Sequence, residues 1–128
     1  MVTAHATDGW KMDVDRGPDW VFVRLHPSPQ IEAGGFSLAE QVWSILEQSF
    51  TYRLVLELDL MPNIQSYFIA QLVLLSKRIH AHDGLLRLCG LSSANMEVIR
   101  VCRLDGCLPN YASRGDAVMG AKRPMQPR

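Results

Sequence analysis

The chain has no surplus of charge: 13 basic residues stand against 13 acidic ones in a length of 128. Broad binding to nucleic acid or to an anionic membrane needs a basic excess, so composition argues against both, although it leaves room for a local patch. No apolar run reaches the roughly 18 residues that a membrane-spanning helix needs. The opening Met-Val-Thr-Ala-His-Ala-Thr-Asp has neither the basic nor the apolar region of a signal peptide. There are only three cysteines, Cys89, Cys102 and Cys107. Their odd number and lack of zinc-like spacing point to a reducing cytoplasm, with the thiols expected as small buried hydrophobes. No Gly-rich phosphate loop, Ser-His-Asp order or Cys-His pairing can be argued from spacing, and there is no internal repeat or low-complexity segment.

What is present is enough for a core. At 48% hydrophobic the chain is long and apolar enough for one folded domain. Its centre is the stretch Arg53–His80. Leu54, Val55, Leu56 and Leu58 form a nearly continuous apolar run, as in a strand covered on both faces. Pro62 and Asn63 break it, and after Ser66 the apolar period becomes helical: Ile69, Leu72, Val73, Leu75, Ser76, Ile79. Asp83-Gly84 closes that helix, with Gly84 suited to the left-handed position.

On the N-terminal side, residues 1–9 read as a loose leader. Trp10–Val14 and Trp20–Leu25 read as strands joined across Arg16-Gly-Pro-Asp19 in an antiparallel hairpin. His26-Pro-Ser-Pro29 excludes helix, and Gly34-Gly35 keeps the chain loose until Phe36. Ser37-Leu-Ala-Glu40 is a capping box, followed by a stripe of Leu38, Val42, Ile45, Leu46 and Phe50. Beyond the centre, Leu85–Gly90 is a strand and Ser92-Ser93 caps a helix through about Leu104, ended by Asp105-Gly106. Leu108–Tyr111 is at most a short edge strand. Ser113 caps a last short helix through Met119, and residues 120–128 form a flexible tail. The predicted class is α/β: a small mixed sheet, an N-terminal antiparallel hairpin followed by parallel strands, covered by about four helices.

In this order and spacing the chain resembles the STAS domain, the family of anti-sigma-factor antagonists and of the cytoplasmic domains of sulfate transporters. The resemblance spans residues 10–119. It is carried by the hairpin leading into a first helix, by Leu54–Leu58 with its following loop and Ser66, and by the return strand from Asp83-Gly84. Leu91-Ser92 before the third helix, Leu104 and Gly106 after it, and Tyr111, Ser113, Asp116, Ala117 and Val118 complete it. The resemblance implies a STAS-like fold and a bacterial, cytoplasmic, non-enzymatic regulator of transcription and signal transduction. In the phosphorylated members an Asp-Ser-Ser/Thr-Gly loop carries the phosphoacceptor. That loop falls on Gln65-Ser66-Tyr67-Phe68 here, with Gln, Tyr and Phe replacing Asp, the second hydroxyl residue and Gly.

The resemblance therefore implies Ser66 as candidate phosphoacceptor. It also implies Met61, Asn63, Gln65, Ser66, Tyr67 and Phe68 as the surface for an anti-sigma factor or kinase-like partner. The alternative is a non-phosphorylated STAS module that binds a nucleotide, a lipid or a transporter ATPase; a homo-oligomer is left open. Plainer readings stand beside these. Ser66 is an N-cap or loop hydroxyl, and one of Tyr67 and Phe68 packs inward while the other covers the loop. His80 and His82, two apart, share no helix face and read as solvated helix-end residues near the C-terminal dipole rather than metal ligands. Glu57 and Asp59 read as strand-end solvation or capping rather than an acid–base pair. No catalytic residue, metal ligand or cofactor is assigned.

Overall fold

A computed structural model describes residues 2–4, 11–27 and 37–120. The alternating pattern Met12, Val14 and Val21, Val23, Leu25 makes two strands with one apolar face each, β2 (Lys11–Arg16) and β3 (Val21–His26). They pair antiparallel from Lys11 opposite His26 to Arg16 opposite Val21, across a turn closed by the Gly17 N–H donating to the Trp20 carbonyl at 2.8 Å. Residues 2–4, inside the segment read as a leader, form a further strand, β1 (Val2–Ala4), antiparallel to β2. Trp10, residues 28–36 and the tail at 121–128 lie outside the described residues.

The central apolar run becomes β4 (Arg53–Glu57), parallel to both β3 and β5 (Leu85–Cys89). Leu54, Val55, Leu56 and Leu58 are all at 0% exposure, the two-sided burial that their continuity implies. A two-residue β6 (Asn110–Tyr111) completes a sheet of order β1-β2-β3-β4-β5-β6. It is the expected mixed sheet: an antiparallel start, then parallel strands.

Among the described residues four helices cover it: α1 (Leu38–Ser49), α2 (Ser66–Ala81), α3 (Ser93–Val101) and α4 (Arg114–Met119). Three serines cap as their spacing predicts. Ser37, Ser92 and Ser113 accept hydrogen bonds from the N–H groups of Glu40, Asn95 and Asp116. Two helix ends differ from expectation. The helix after Ser92 stops at Val101, and Arg103 turns left-handed at φ 58°, before Asp105-Gly106 is reached. At the end of α2 it is Asp83, not Gly84, that takes the left-handed conformation. Gly84 is needed for space instead: a Cβ there would lie 2.1 Å from the Tyr52 carbonyl oxygen.

The two sheet faces differ. Val14, Val23, Leu54, Leu56 and Leu88 meet Leu46 of α1, Leu72 and Leu75 of α2 and Ile99 of α3 in the main core. The opposite face holds a smaller cluster, Trp20, Val55, Cys89 and Ala117, under α4. Phe50, placed by its spacing on the buried stripe of α1, is a correction. It is the left-handed C-cap of that helix, φ 55°, and its ring is 92% exposed, because leaving helical φ/ψ swings the side chain off the stripe.

Candidate functional site

The site is built at the carboxyl end of β4, where ligand and partner contacts of parallel sheets commonly lie. Leu58 anchors the exit from the strand by donating its N–H to the Cys89 carbonyl at 2.9 Å, and its own carbonyl accepts from Met61 N–H at 3.1 Å. Chain 59–63 then runs over the surface until Ile64, 6% exposed, plugs back into the main core.

Asn95 holds this loop in place. It sits in the first turn of α3, is 1% exposed, and reaches across to the loop backbone. Its Oδ1 accepts from the Ile64 N–H at 3.0 Å, while its Nδ2 donates to the Pro62 carbonyl at 2.7 Å and lies 3.5 Å from the Met61 carbonyl. One carboxamide, with an acceptor on one atom and donors on the other, satisfies both a donor and an acceptor of an irregular segment. Sequence reasoning missed Asn95; its place two residues inside the Ser92-capped turn was the available signal.

The clamp sets how α2 begins. Gln65 is its N-cap, extended at φ −118° and ψ 174°, without a side-chain capping bond, and its carbonyl accepts from Ile69 N–H at 3.0 Å. Ser66 is therefore the first helical residue rather than the N-cap, and its side chain is exposed. Asn63 and Gln65 are exposed beside it, and Met61 is half-buried against the core. Tyr67 is 39% exposed, whereas Phe68, at 5%, points into the core. Of the six residues assigned to the surface, Phe68 supports it from beneath, which is the plainer of its two readings. The exposed apolar residues Leu60 and Leu74 extend the same surface. Tyr67 and Leu74, seven residues apart, share one face of α2. The first turn of α2 contains no acidic residue, so its positive dipole end is uncompensated there.

A charged network stiffens the same end of β4 on the face opposite α2. Glu57 is 4% exposed, not solvated at a strand end as its position in sequence implies. Its Oε1 accepts from Arg24 Nη2 at 3.1 Å, and its Oε2 from Arg114 Nη2 at 2.6 Å and Nε at 3.2 Å. Arg114 also donates to Asp15 at 2.8 Å and lies over the Phe22 ring. That hydrogen bond holds the Asp15 carboxyl below its usual range. Arg24 Nε lies 3.3 Å from Asp59 Oδ1 without the alignment of a hydrogen bond. Gly90, at φ 79°, allows the next strand to pass Asp59, whose Cβ a side chain there would approach to 2.8 Å. A carboxylate already engaged by two guanidiniums is a structural pivot rather than a base for acid–base chemistry.

The remaining motifs are local. His80 Nδ1 lies 2.9 Å from the Ser76 carbonyl and His82 Nδ1 3.1 Å from the Arg78 carbonyl, one turn back on their own helix. Cys89 is buried, and desolvation, followed by the nearby Glu57 charge, pushes its thiol up to about 12. Cys102 and Cys107 are exposed, contrary to the expectation of buried thiols, because the early end of α3 leaves them on surface turns.

No protein-family model and no curated protein sequence matches the chain. Solved structures do match. A Thermotoga maritima protein assigned as an anti-sigma factor antagonist superposes with a TM-score of 0.72 at 16% identity, over 88% of this chain and 95% of that one. An anti-sigma factor antagonist from Mycobacterium paratuberculosis gives 0.70 at 17% identity, over 92% and 98%. A STAS-domain protein from Planctomyces limnophilus gives 0.69 at 21% identity, over 85% and 96%. The chain has the STAS fold of these antagonists. Among the described residues no helix is long and apolar enough to cross a membrane.

Proposed function

We propose that this STAS-fold chain is a non-enzymatic regulatory module that binds an anti-sigma factor or kinase-like partner. The contact surface is Met61, Asn63, Gln65, Ser66 and Tyr67, extended by the outer face of α2. Ser66 is the phosphoacceptor that switches it. The single observation that carries this reading is the exposed Ser66 at the first helical position of α2, at the end of a loop that Asn95 clamps.

The physics of such a switch follows from its place. A phosphate adds about −1.5 to −2 charges. In the free protein the helix start tolerates it, stabilising an anion by about 0.3–1 kcal/mol, and no acidic residue of the first turn opposes it. Against a bound partner the same charge is desolvated without a counter-charge, which costs on the order of 2–5 kcal/mol. At about 1.4 kcal/mol per decade, that weakens binding by tenfold or more. The modification acts on association and leaves the fold intact.

Mass spectrometry after incubation with the organism's kinase-like anti-sigma factor and ATP tests the switch. A single phosphate on Ser66 is the expected result. An unmodified Ser66 with partner binding intact refutes the switch and leaves the binding surface. The exposed Tyr67 ring favours that second, unphosphorylated mode, in which the module engages a transporter ATPase or a nucleotide or lipid through the same face.

A further inference from the structure

At the other end of β4, five residues and roughly 16 Å from the Ser66 loop, the C-terminus of α1 and the β2–β3 turn enclose an open groove of about 540 Å³. Arg16, Asp19, Ser49, Phe50, Thr51 and Arg53 line most of it. Its walls are tied together. Arg16 Nε donates to Ser49 Oγ at 2.7 Å, Ser49 Oγ donates to the Ile45 carbonyl at 2.8 Å, and Thr51 Oγ1 lies 3.4 Å from the Asp19 carbonyl. Small-molecule pockets are concave and mainly apolar. This one is shallow, mainly polar, and rimmed by two guanidiniums against one carboxylate.

Phe50 is an unusual residue for its place, although its N–H and that of Thr51 make ordinary C-cap bonds to the Glu47 and Leu46 carbonyls. The left-handed C-cap position favours Gly, and a Phe held at φ 55° is strained. Its ring is 92% exposed, so it gains nothing from the core either. Backbone strain and solvent exposure at one aromatic residue, between Arg16 and Arg53, are the composition of an interface anchor: aromatic residues and Arg are the types enriched where partners bind tightly.

We infer that this groove is a second docking surface, which takes an acidic segment of another polypeptide, with Phe50 inserting among its apolar side chains and Arg16 and Arg53 pairing with its carboxylates. Because it lies at the opposite end of the sheet from Ser66, the module can hold this segment and the proposed Ser66 partner together, and the two contacts are independent.

The test is selection of a random twelve-residue display library on the full chain, followed by affinity measurement of the enriched peptides on variants. Phe50→Gly relieves the backbone strain, so it folds at least as stably as the parent, which a thermal melt checks. Arg53→Glu reverses an exposed charge. The expected result is enrichment of peptides rich in Asp and Glu with interspersed apolar residues. Their binding falls at least tenfold on Phe50→Gly and on Arg53→Glu, weakens with salt, and is unchanged on Ser66→Glu. Enriched peptides that lack acidic residues, or that bind both variants as well as the parent, overturn the inference. So does Phe50-dependent dimerisation by analytical ultracentrifugation, which makes a second copy the occupant.

Discussion

Replacing Asn95 by Ala removes the clamp on the Ser66 loop and little else. The Ile64 N–H is left in a residue only 6% exposed, with no partner in place of Oδ1. A buried donor abandoned in this way costs about 1–3 kcal/mol. The lost bond to the Pro62 carbonyl adds about 1 kcal/mol, since Pro62 itself is exposed and water replaces Nδ2 there. Against this, Ala is the better helix former inside α3 by about 0.6 kcal/mol. The expected net loss is about 1.5–3 kcal/mol in urea unfolding, with faster amide exchange concentrated at Ile64. Asn95→Asp is the control: it keeps an acceptor for Ile64 but loses the donor to Pro62, so it also loosens the loop. A loss below about 0.5 kcal/mol for Asn95→Ala, with Ile64 exchange unchanged, refutes the reasoning that this side chain positions the loop.

Three further outcomes are expected. Glu57→Ala removes the buried carboxylate shared by Arg24 and Arg114 and costs about 2–4 kcal/mol in urea unfolding, below the full value for a buried pair because both arginines reach water and keep Asp59 and Asp15 beside them; a change under 1 kcal/mol contradicts the pivot. The Asp15–Arg114 bond depresses the Asp15 pKa, so its stabilisation is present above the unfolded value of 3.8 and is lost as pH falls through the lower folded value. Thermal melts of Asp15→Asn and the parent therefore differ at pH 6, and the difference shrinks as pH falls below 3.8. Of the three thiols, Cys102 and Cys107 react with a disulfide reagent at pH 8 in the native state, and Cys89, its thiol pushed up to about 12, reacts only on unfolding.

The elements whose signals are local were legible in the sequence. Alternation in Met12–Val14 and Val21–Leu25, continuity in Leu54–Leu58, and Ser37, Ser92 and Ser113 ahead of helical periods each reflect interactions within a few residues, and each returned the expected strand, buried strand or cap, whereas Ser66 became the first helical residue after Gln65. What escaped depends on long-range partners. Glu57 reads as a solvated strand end until Arg24 and Arg114, 33 and 57 residues away, are brought over it. Asn95 is one more polar residue in a capped turn until the Pro62–Ile64 backbone arrives from 31–33 residues upstream. Gly84 was assigned to a left-handed backbone, whereas its absent Cβ makes room for Tyr52, a tertiary reason that periodicity does not record. The candidate site divided along the same line. The strand–loop–Ser66–helix order was readable, but which of the adjacent rings faces outward was settled by packing: Tyr67 faces solvent and Phe68 the core.

The measurement that bears most directly on the proposed role is calorimetric titration of the organism's kinase-like anti-sigma factor with the parent chain, Ser66→Glu and Tyr67→Ala. Saturable binding by the parent and at least a tenfold loss for each variant are expected, with the melting temperature of Ser66→Glu preserved because Ser66 is exposed. Parent-like affinity for both variants contradicts the proposed role.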